Sequence, residues 1–342
     1  MKKEIRVKIV GMWSNFSSEK WSILDILRER YNLVECDNPD YIICSVYEIP
    51  YIYCQYPQVR IMYSGENYCP DFNLVDYGIG YDDITFGDRY YRFGSMYSLE
   101  LTKKDRNYSK DVLEGKTLFA NFIASHESEY SIRGDFFKKL CEYKTVSSMG
   151  TYLNNMPNNK VVAYKSAEKE EYQRKCKFTL CFESPSHLDF CTEKLVNAFL
   201  ADTIPIYYGD PNVCKTFNSK AFINVADYDS YEAVLEKIKE LDNDDEKYLE
   251  MLRKPVYVEP DLVEKQYEGL KKWLYAIFDQ PLEKAFRRSR CYCPLRHEKE
   301  LVKKFTPDYV AAERKEKKAE RRARLIQKFP RLKKLYKKIV RH

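Results

Sequence analysis

Two successive series of strand-like segments alternating with amphipathic helical ones run along the chain, and no other feature constrains the fold as strongly. In the first series, Ile5–Val10, Tyr41–Val46, Val59–Tyr63 and Tyr77–Tyr81 read as strands, with an amphipathic helix over Glu19–Tyr31. The polar stretch TKKDRNYSKDVLEGK (102–116) reads as a linker. The second series gives strands at TLFANFIAS, TVSS, KFTLCF, TIPIYY and FINV, and helices at DFFKKLCEY, TEKLVNAFLAD and Ser230–Leu241. Alternation of this kind builds mostly parallel sheets in α/β units. The expected organisation is a first domain over 1–110, a second over 111–300, and a tail over 301–342. Ligands in such folds bind beyond the carboxyl ends of the strands, so the loops after strands are where chemistry is to be sought.

Composition removes several classes of function. At 342 residues and 44% hydrophobic content, the chain can bury a large core. Its 11 cysteines are scattered without CxxC pairs, and its four histidines are dispersed, so neither a disulfide framework nor a metal site is expected. Most of these thiols are expected to be reduced core residues, which points to the cytoplasm. No apolar run approaches the roughly 20 residues of a spanning helix, and the start MKKEIRVKIVGMW lacks a signal-peptide core. GxGxxG after a strand, GxxxxGK[ST] and GxSxG are all missing, so dinucleotide-binding, P-loop and serine-hydrolase readings have no support. The 30 tyrosines suit either a sugar-handling surface or ordinary half-buried positions.

Charge is divided sharply. Residues 301–342 carry 16 Lys+Arg against 4 Asp+Glu, a net of +12, which leaves −6 on residues 1–300. In RRARLIQKFPRLKKLYKKIVRH, apolar residues from Leu325 to Val340 recur every three to four positions between basic ones. A basic amphipathic helix of this kind can lie on an anionic membrane surface, the reading preferred here. The alternatives are a solvated helix capping a domain, or nucleic-acid binding, for which the rest of the chain has no motif.

Four places could carry chemistry. Thr192-Glu193-Lys194 opens a helix that otherwise looks like core, and a helix N-terminus with a lysine in its first turn suits a phosphate. Glu193 could accept ribose hydroxyls; alternatively it caps the helix and Lys194 is a solvated charge. Arg133, at the start of the next helix after TLFANFIAS, and Ser125, at that strand's end, form a plausible second anion contact, or Arg133 is an ordinary surface residue. Glu66 follows a strand in SGENY and could serve as a base. Asp82-Asp83 looks like a metal-binding pair but suits a solvated turn equally well.

The blocks KFTLCFES and TEKLVNAFLADTIPIYYGDPNV, with SGENYCPDFNLVDYGIGYDD, FGDRYYR and RGDFFKKLCEYKTVSSMG upstream, resemble the signature of the bacterial α1,3/4-fucosyltransferases of glycosyltransferase family 10. The likeness covers roughly residues 60–260. It implies a GT-B type α/β fold with two Rossmann-like domains facing a cleft, the first of them acceptor-binding. It also implies GDP-β-L-fucose as donor and inverting transfer to GlcNAc or Glc, at O3, in a lactosamine-type glycan such as a lipopolysaccharide O-antigen. Glu66 falls at the family's proposed base, Arg133 and Lys194 at its pyrophosphate contacts and Glu193 at its ribose contact. Ser125, Ser184 and Phe190 fall in the donor site. No cofactor is required, and any divalent cation would be non-essential. The expected setting is the inner face of a membrane, held through residues 301–342, with no nucleic-acid partner. The chain departs from the family's pattern at Ser184 (Asn there), Asp189 (Gly), Phe190 (Tyr), Tyr208 (Trp) and His126 (Asn). A transferase for another GDP-sugar and a non-catalytic nucleotide- or glycan-binding protein are the competing readings.

Overall fold

The computed structural model describes residues 2–305 apart from 15, 48, 128–131 and 163–165, and beyond 305 only 311, 314, 315, 317–319 and 321. The amphipathic stretch 325–340 lies outside the described residues. In chain order the elements are β1 (Lys3–Val10), α1 (Ser22–Arg30), β2 (Tyr31–Glu35), β3 (Tyr41–Cys44), β4 (Val59–Tyr63), β5 (Tyr77–Gly80) and β6 (Tyr90–Arg92). Next come α2 (Leu99–Thr102), α3 (Asp111–Glu114), β7 (Leu118–Phe122), α4 (Arg133–Cys141), β8 (Val146–Ser148), α5 (Ala167–Arg174), β9 (Cys176–Phe182) and α6 (Glu193–Leu200). The chain continues through β10 (Ile204–Tyr208), β11 (Ile223–Asn224), α7 (Tyr231–Asn243), α8 (Asp245–Leu252), α9 (Leu262–Asp279), α10 (Leu282–Ala285) and α11 (Tyr292–Lys304).

Packing groups these elements into two compact units. One contains residues 1–63, 70–78 and the described part of 278–342, the other 64–69 and 79–277. Residues 278–300, assigned to the second domain by the linear reading, thus pack with the first unit. The first sheet has the order β2-β1-β3-β4-β5-β6, with β1 parallel to β2 and β3, and β3 parallel to β4. All four residues of β3 are buried, as expected of an interior parallel strand, while β2 lies at the edge with one buried residue.

In the first unit, β4 carries Arg60 at the centre of the sheet, where it is 0% exposed. Its guanidinium donates to the carbonyls of Tyr56 (2.6 and 2.8 Å), Leu74 (2.7 Å) and Cys54 (3.1 Å), and to the Glu298 carboxylate of α11 at 2.6 Å. Asp76, equally buried, accepts from the backbone N–H groups of Arg60, Arg287 and Arg288 and pairs with the Arg288 side chain. A charge in this position is tolerable only when paired and fully hydrogen-bonded. These two pairs therefore fasten the segment after α9 onto the first sheet.

The second sheet has the order β11-β10-β9-β7-β8, parallel throughout. Alternation divides its strands by face. Phe122, Phe178, Leu180 and Phe182 join Phe136 of α4, Val234 and Ile238 of α7 and Tyr248 of α8 in one apolar core. Burial of each such side chain contributes about 1.5–3 kcal/mol. The opposite face carries Asn121 and Thr179, buried and bonded to each other at 2.8 Å, with Thr179 bonded in turn to Thr203 at 2.8 Å. Pro205 sits in β10 in register with Thr179 of β9, at a position where the outer strand β11, which pairs with Ile206 and Tyr207, does not reach.

Replacing Glu298 with Ala is expected to cost about 2 kcal/mol in denaturant unfolding, less than the ~3–5 kcal/mol of a stripped buried pair because the carbonyl contacts to Arg60 remain. Glu298→Gln, which keeps an acceptor oxygen, should lose less. Equal stability of Glu298→Ala and wild type would remove the fastening role.

Candidate functional site

From β7 the chain passes through α4 to β8 on one side of the second sheet, then through α5 to β9 on the other side and outward to β10. The strand order reverses between β7 and β9, so a crevice opens beyond their carboxyl ends, where α/β sheets bind ligands. The loop after β7 carries Ser125 and leads to Arg133, the first residue of α4. The loop after β9 carries Glu183 and Ser184 and leads to Thr192, Glu193 and Lys194 at the start of α6. Topology alone brings six of the seven candidate residues, all but Glu66, to one sheet edge.

At its centre is a carboxylate that spacing did not single out. Glu183 directly follows β9, is 1% exposed, and accepts from the Thr192 N–H (2.8 Å), the Thr192 hydroxyl (2.8 and 3.0 Å) and Lys194 Nζ (2.7 Å). Lys194 also donates to Thr192 Oγ1 at 2.8 Å, which closes a ring of three side chains. Burial works against the Lys194 ammonium, but the negative charges of Glu183 and then Glu193 outweigh it and raise its pKa. Lys194 is therefore a charged, oriented donor at the helix mouth rather than a solvated cation. Gly209, from the TIPIYYG block, makes room for the ring, since a Cβ there would stand 2.5 Å from Glu183 Cγ. A signal for Glu183 was present in the sequence. A carboxylate closing the buried run KFTLCF needs a cationic partner.

Arg133 is 3% exposed in the first turn of α4. Burial lowers its pKa, opposed by Tyr152, Glu127 and Glu183. Arg133 and Lys194 thus stand at the N-termini of α4 and α6, with Glu183 bonded to Lys194. That arrangement suits a diphosphate. Glu193, half-buried, is the first residue of α6.

Ser184 is half-buried, and the neighbouring Ser186 hydroxyl donates to the Gly209 carbonyl at 2.6 Å. The Phe190 ring is 4% exposed and meets Tyr81 edge-on at 5.0 Å. Ser125 is exposed, its carbonyl accepting from the Thr151 hydroxyl at 2.5 Å. Glu66 is exposed in the loop after β4, where its carbonyl accepts from the Tyr68 N–H (2.7 Å) and the Ser64 hydroxyl (3.1 Å), which sets the backbone of that turn. Asp82 lies 3.4 Å from His187 and Asp83 3.5 Å from Lys215; among the described residues no group could hold a metal ion.

The first unit has its own switch point. β1 leads through α1 to β2 on one side and β3 lies on the other. Beyond the ends of β1 and β3 is a cavity of about 430 Å³ whose lining includes Gly11, Trp13, Ser14, Phe16 and Glu35. Trp13 is held edge-to-face by Phe16 (4.9 Å), Tyr47 (5.7 Å) and Trp21 (6.4 Å). No Lys or Arg is among the described residues that line it.

Comparison with known proteins gives two successive family matches. The family model "Alpha-(1,3)-fucosyltransferase FucT N-terminal domain" matches residues 7–99, and "Glycosyltransferase family 10 (fucosyltransferase) C-term" matches residues 113–269. The chain is similar to alpha-(1,3)-fucosyltransferase FucT of Helicobacter pylori, 29% identical over 290 residues, which cover 72% of this chain and 59% of that protein. It spans about three-fifths of that relative's length. Over 76 residues (22% of this chain, 21% of that protein) it is 41% identical to 4-galactosyl-N-acetylglucosaminide 3-alpha-L-fucosyltransferase 9 of Homo sapiens. A crystal structure of α1,3-fucosyltransferase shares the fold, with a TM-score of 0.68 at 24% identity over 85% of this chain and 93% of that one. A crystal structure of α1,3-fucosyltransferase with GDP-fucose gives 0.61 at 24% identity over 80% and 91%. With the two matching segments in family order and a GT-B type pair of parallel sheets beneath them, the chain belongs to glycosyltransferase family 10, the fucosyltransferases.

Proposed function

We propose that this chain is an inverting fucosyltransferase that moves L-fucose from GDP-β-L-fucose to O3 of GlcNAc or glucose in a lactosamine-type glycan, such as a lipopolysaccharide O-antigen. The observation that carries the reading is the convergence of Arg133, Lys194 and two helix N-termini on the β7/β9 switch point, with Glu183 orienting the lysine. The diphosphate of the donor sits there, Glu193 takes the ribose, and Ser125, Ser184 and Phe190 complete the donor pocket. The acceptor hydroxyl attacks the fucose anomeric carbon from the face opposite the phosphate. Its proton passes to the Glu66 carboxylate as the bond to the GDP oxygen breaks. GDP leaves carrying negative charge that Arg133 and Lys194 stabilise, so no general acid is needed.

The cavity beside Trp13 supports a neutral acceptor, because an aromatic wall with no cation among its described residues suits the apolar face of a pyranose better than a phosphate. For the tail, the basic amphipathic pattern supports a peripheral position on the cytoplasmic face of an anionic membrane.

Glu66→Gln is expected to lower kcat about 10²–10⁴-fold, the range of general-base catalysis, with GDP affinity unchanged. Retained turnover would remove the base assignment. Lys194→Ala should weaken GDP binding about 10–100-fold in calorimetry while guanosine binding stays the same, in line with losing a charged hydrogen bond. Equal loss for GDP and guanosine would place the lysine away from the phosphates. Offering GDP-fucose and GDP-mannose with lactose and type 1 and type 2 lactosamine chains, with NMR of the products, tests the donor and the linkage together. Full-length protein should bind anionic liposomes at moderate salt and lose that binding when residues after 306 are deleted; indifference of the full-length protein to such liposomes would end the membrane proposal.

A further inference from the structure

Asp189 stands where the family has glycine, and the function proposed above leaves it unexplained. Its φ is +65°, in the left-handed region where glycine is at home and an aspartate is strained, yet it is buried at 8% exposure. What the side chain gains there is a set of contacts. Its Oδ1 accepts from Asn212 Nδ2 at 2.9 Å and faces the Arg92 guanidinium at 3.7 Å, and its Oδ2 accepts from the Asp83 N–H at 3.4 Å. Its own N–H donates to Asp210 Oδ1 at 2.7 Å.

Two of these partners, Asp83 and Arg92, lie on one segment, and that segment is itself tightly built. Arg92 Nε donates to the Tyr81 carbonyl at 2.8 Å, the Tyr81 hydroxyl bonds Ser95 at 2.8 Å, and the Tyr81 ring meets Phe190. Adjacent residues of the donor loop are thus held by the same segment, Asp189 through charge and Phe190 through ring contact. Asp82 and His187, 3.4 Å apart, join the segment to the loop a third time.

We propose that Asp189 is a positioning residue whose carboxylate ties the segment from Tyr81 to Arg92 onto the loop bearing Ser184 and Phe190, so that the loop is ordered before the donor nucleotide arrives. The inference rests on the donor-site reading above. Glycine at 189 would keep the backbone path without strain but would have no carboxylate for the tether, so the loop would be ordered only on binding, at the expense of donor affinity.

The test uses the full chain with Asp189→Gly and Asp189→Asn. Asparagine tolerates the left-handed backbone and retains an acceptor oxygen, but loses the attraction to Arg92. Without ligand, hydrogen exchange over residues 184–192 should be roughly tenfold faster in Asp189→Gly and intermediate in Asp189→Asn. KM for GDP-fucose should rise about five- to tenfold in Asp189→Gly, with kcat within about twofold and partial rescue in Asp189→Asn. Arg92→Ala should add little in the Asp189→Gly background, as expected of coupled residues. Unchanged exchange, or faster exchange with an unchanged KM, overturns the proposal. The exchange measurement needs no substrate. Wild-type protein inactive on GDP-fucose would therefore remove the proposed function while exchange still decides the tether.

Discussion

The bond between Glu183 and Lys194 is the interaction on which the rest of the second unit's crevice depends. A lysine in the first turn of a helix opposes the helix dipole, and a carboxylate at the end of a buried strand opposes desolvation. Each group is unfavourable alone and tolerable beside the other, at 2.7 Å, with Thr192 between them. The pair also sets local geometry. It needs a glycine at 209 to make space, and it fixes the entry of α6 through the Thr192 N–H. A site built on such a pair presents its cation pre-oriented, so an arriving anion does not have to order a flexible side chain.

The first unit handles buried charge differently. Arg60 and Arg288 spend their donors on backbone carbonyls and on one carboxylate each, Glu298 and Asp76, near the amino ends of β4 and β5. Burial of that kind serves architecture: it decides which later segment completes the sheet. Buried charges at the carboxyl edge of the second sheet face a crevice instead. Position along the strand, rather than burial as such, separates the two roles.

Much of this was legible from residue patterns. β4 falls where the alternation of VRIMY places it, and β1, β9 and β10 lie within a residue or two of their apolar runs. β2 was missed because it is an edge strand with one buried residue and runs directly out of α1. α8 was missed because Asp244 ends α7 and caps α8 at once, which leaves no turn signal between them. Within the site, Arg133, Glu193 and Lys194 are legible as charges at helix starts, whereas Glu183, just after the strand KFTLCF, stands at no helix start and is not singled out. Which residues group with which unit could not be read at all, since the Arg60–Glu298 contact joins positions 238 residues apart.

That separation has a consequence for the order in which the protein can form. The first sheet is translated early, but Arg60 and Asp76 remain without Glu298 and Arg288 until the last part of the described chain has been made. The second unit, by contrast, is complete once residue 277 has emerged. On a ribosome, where domains generally fold as units in the order they emerge, the unit that begins first is therefore the one that finishes last. Until then, Arg60 and Asp76 in the nascent first sheet lack their ionic partners, so the contacts that complete that sheet form after the second unit has consolidated.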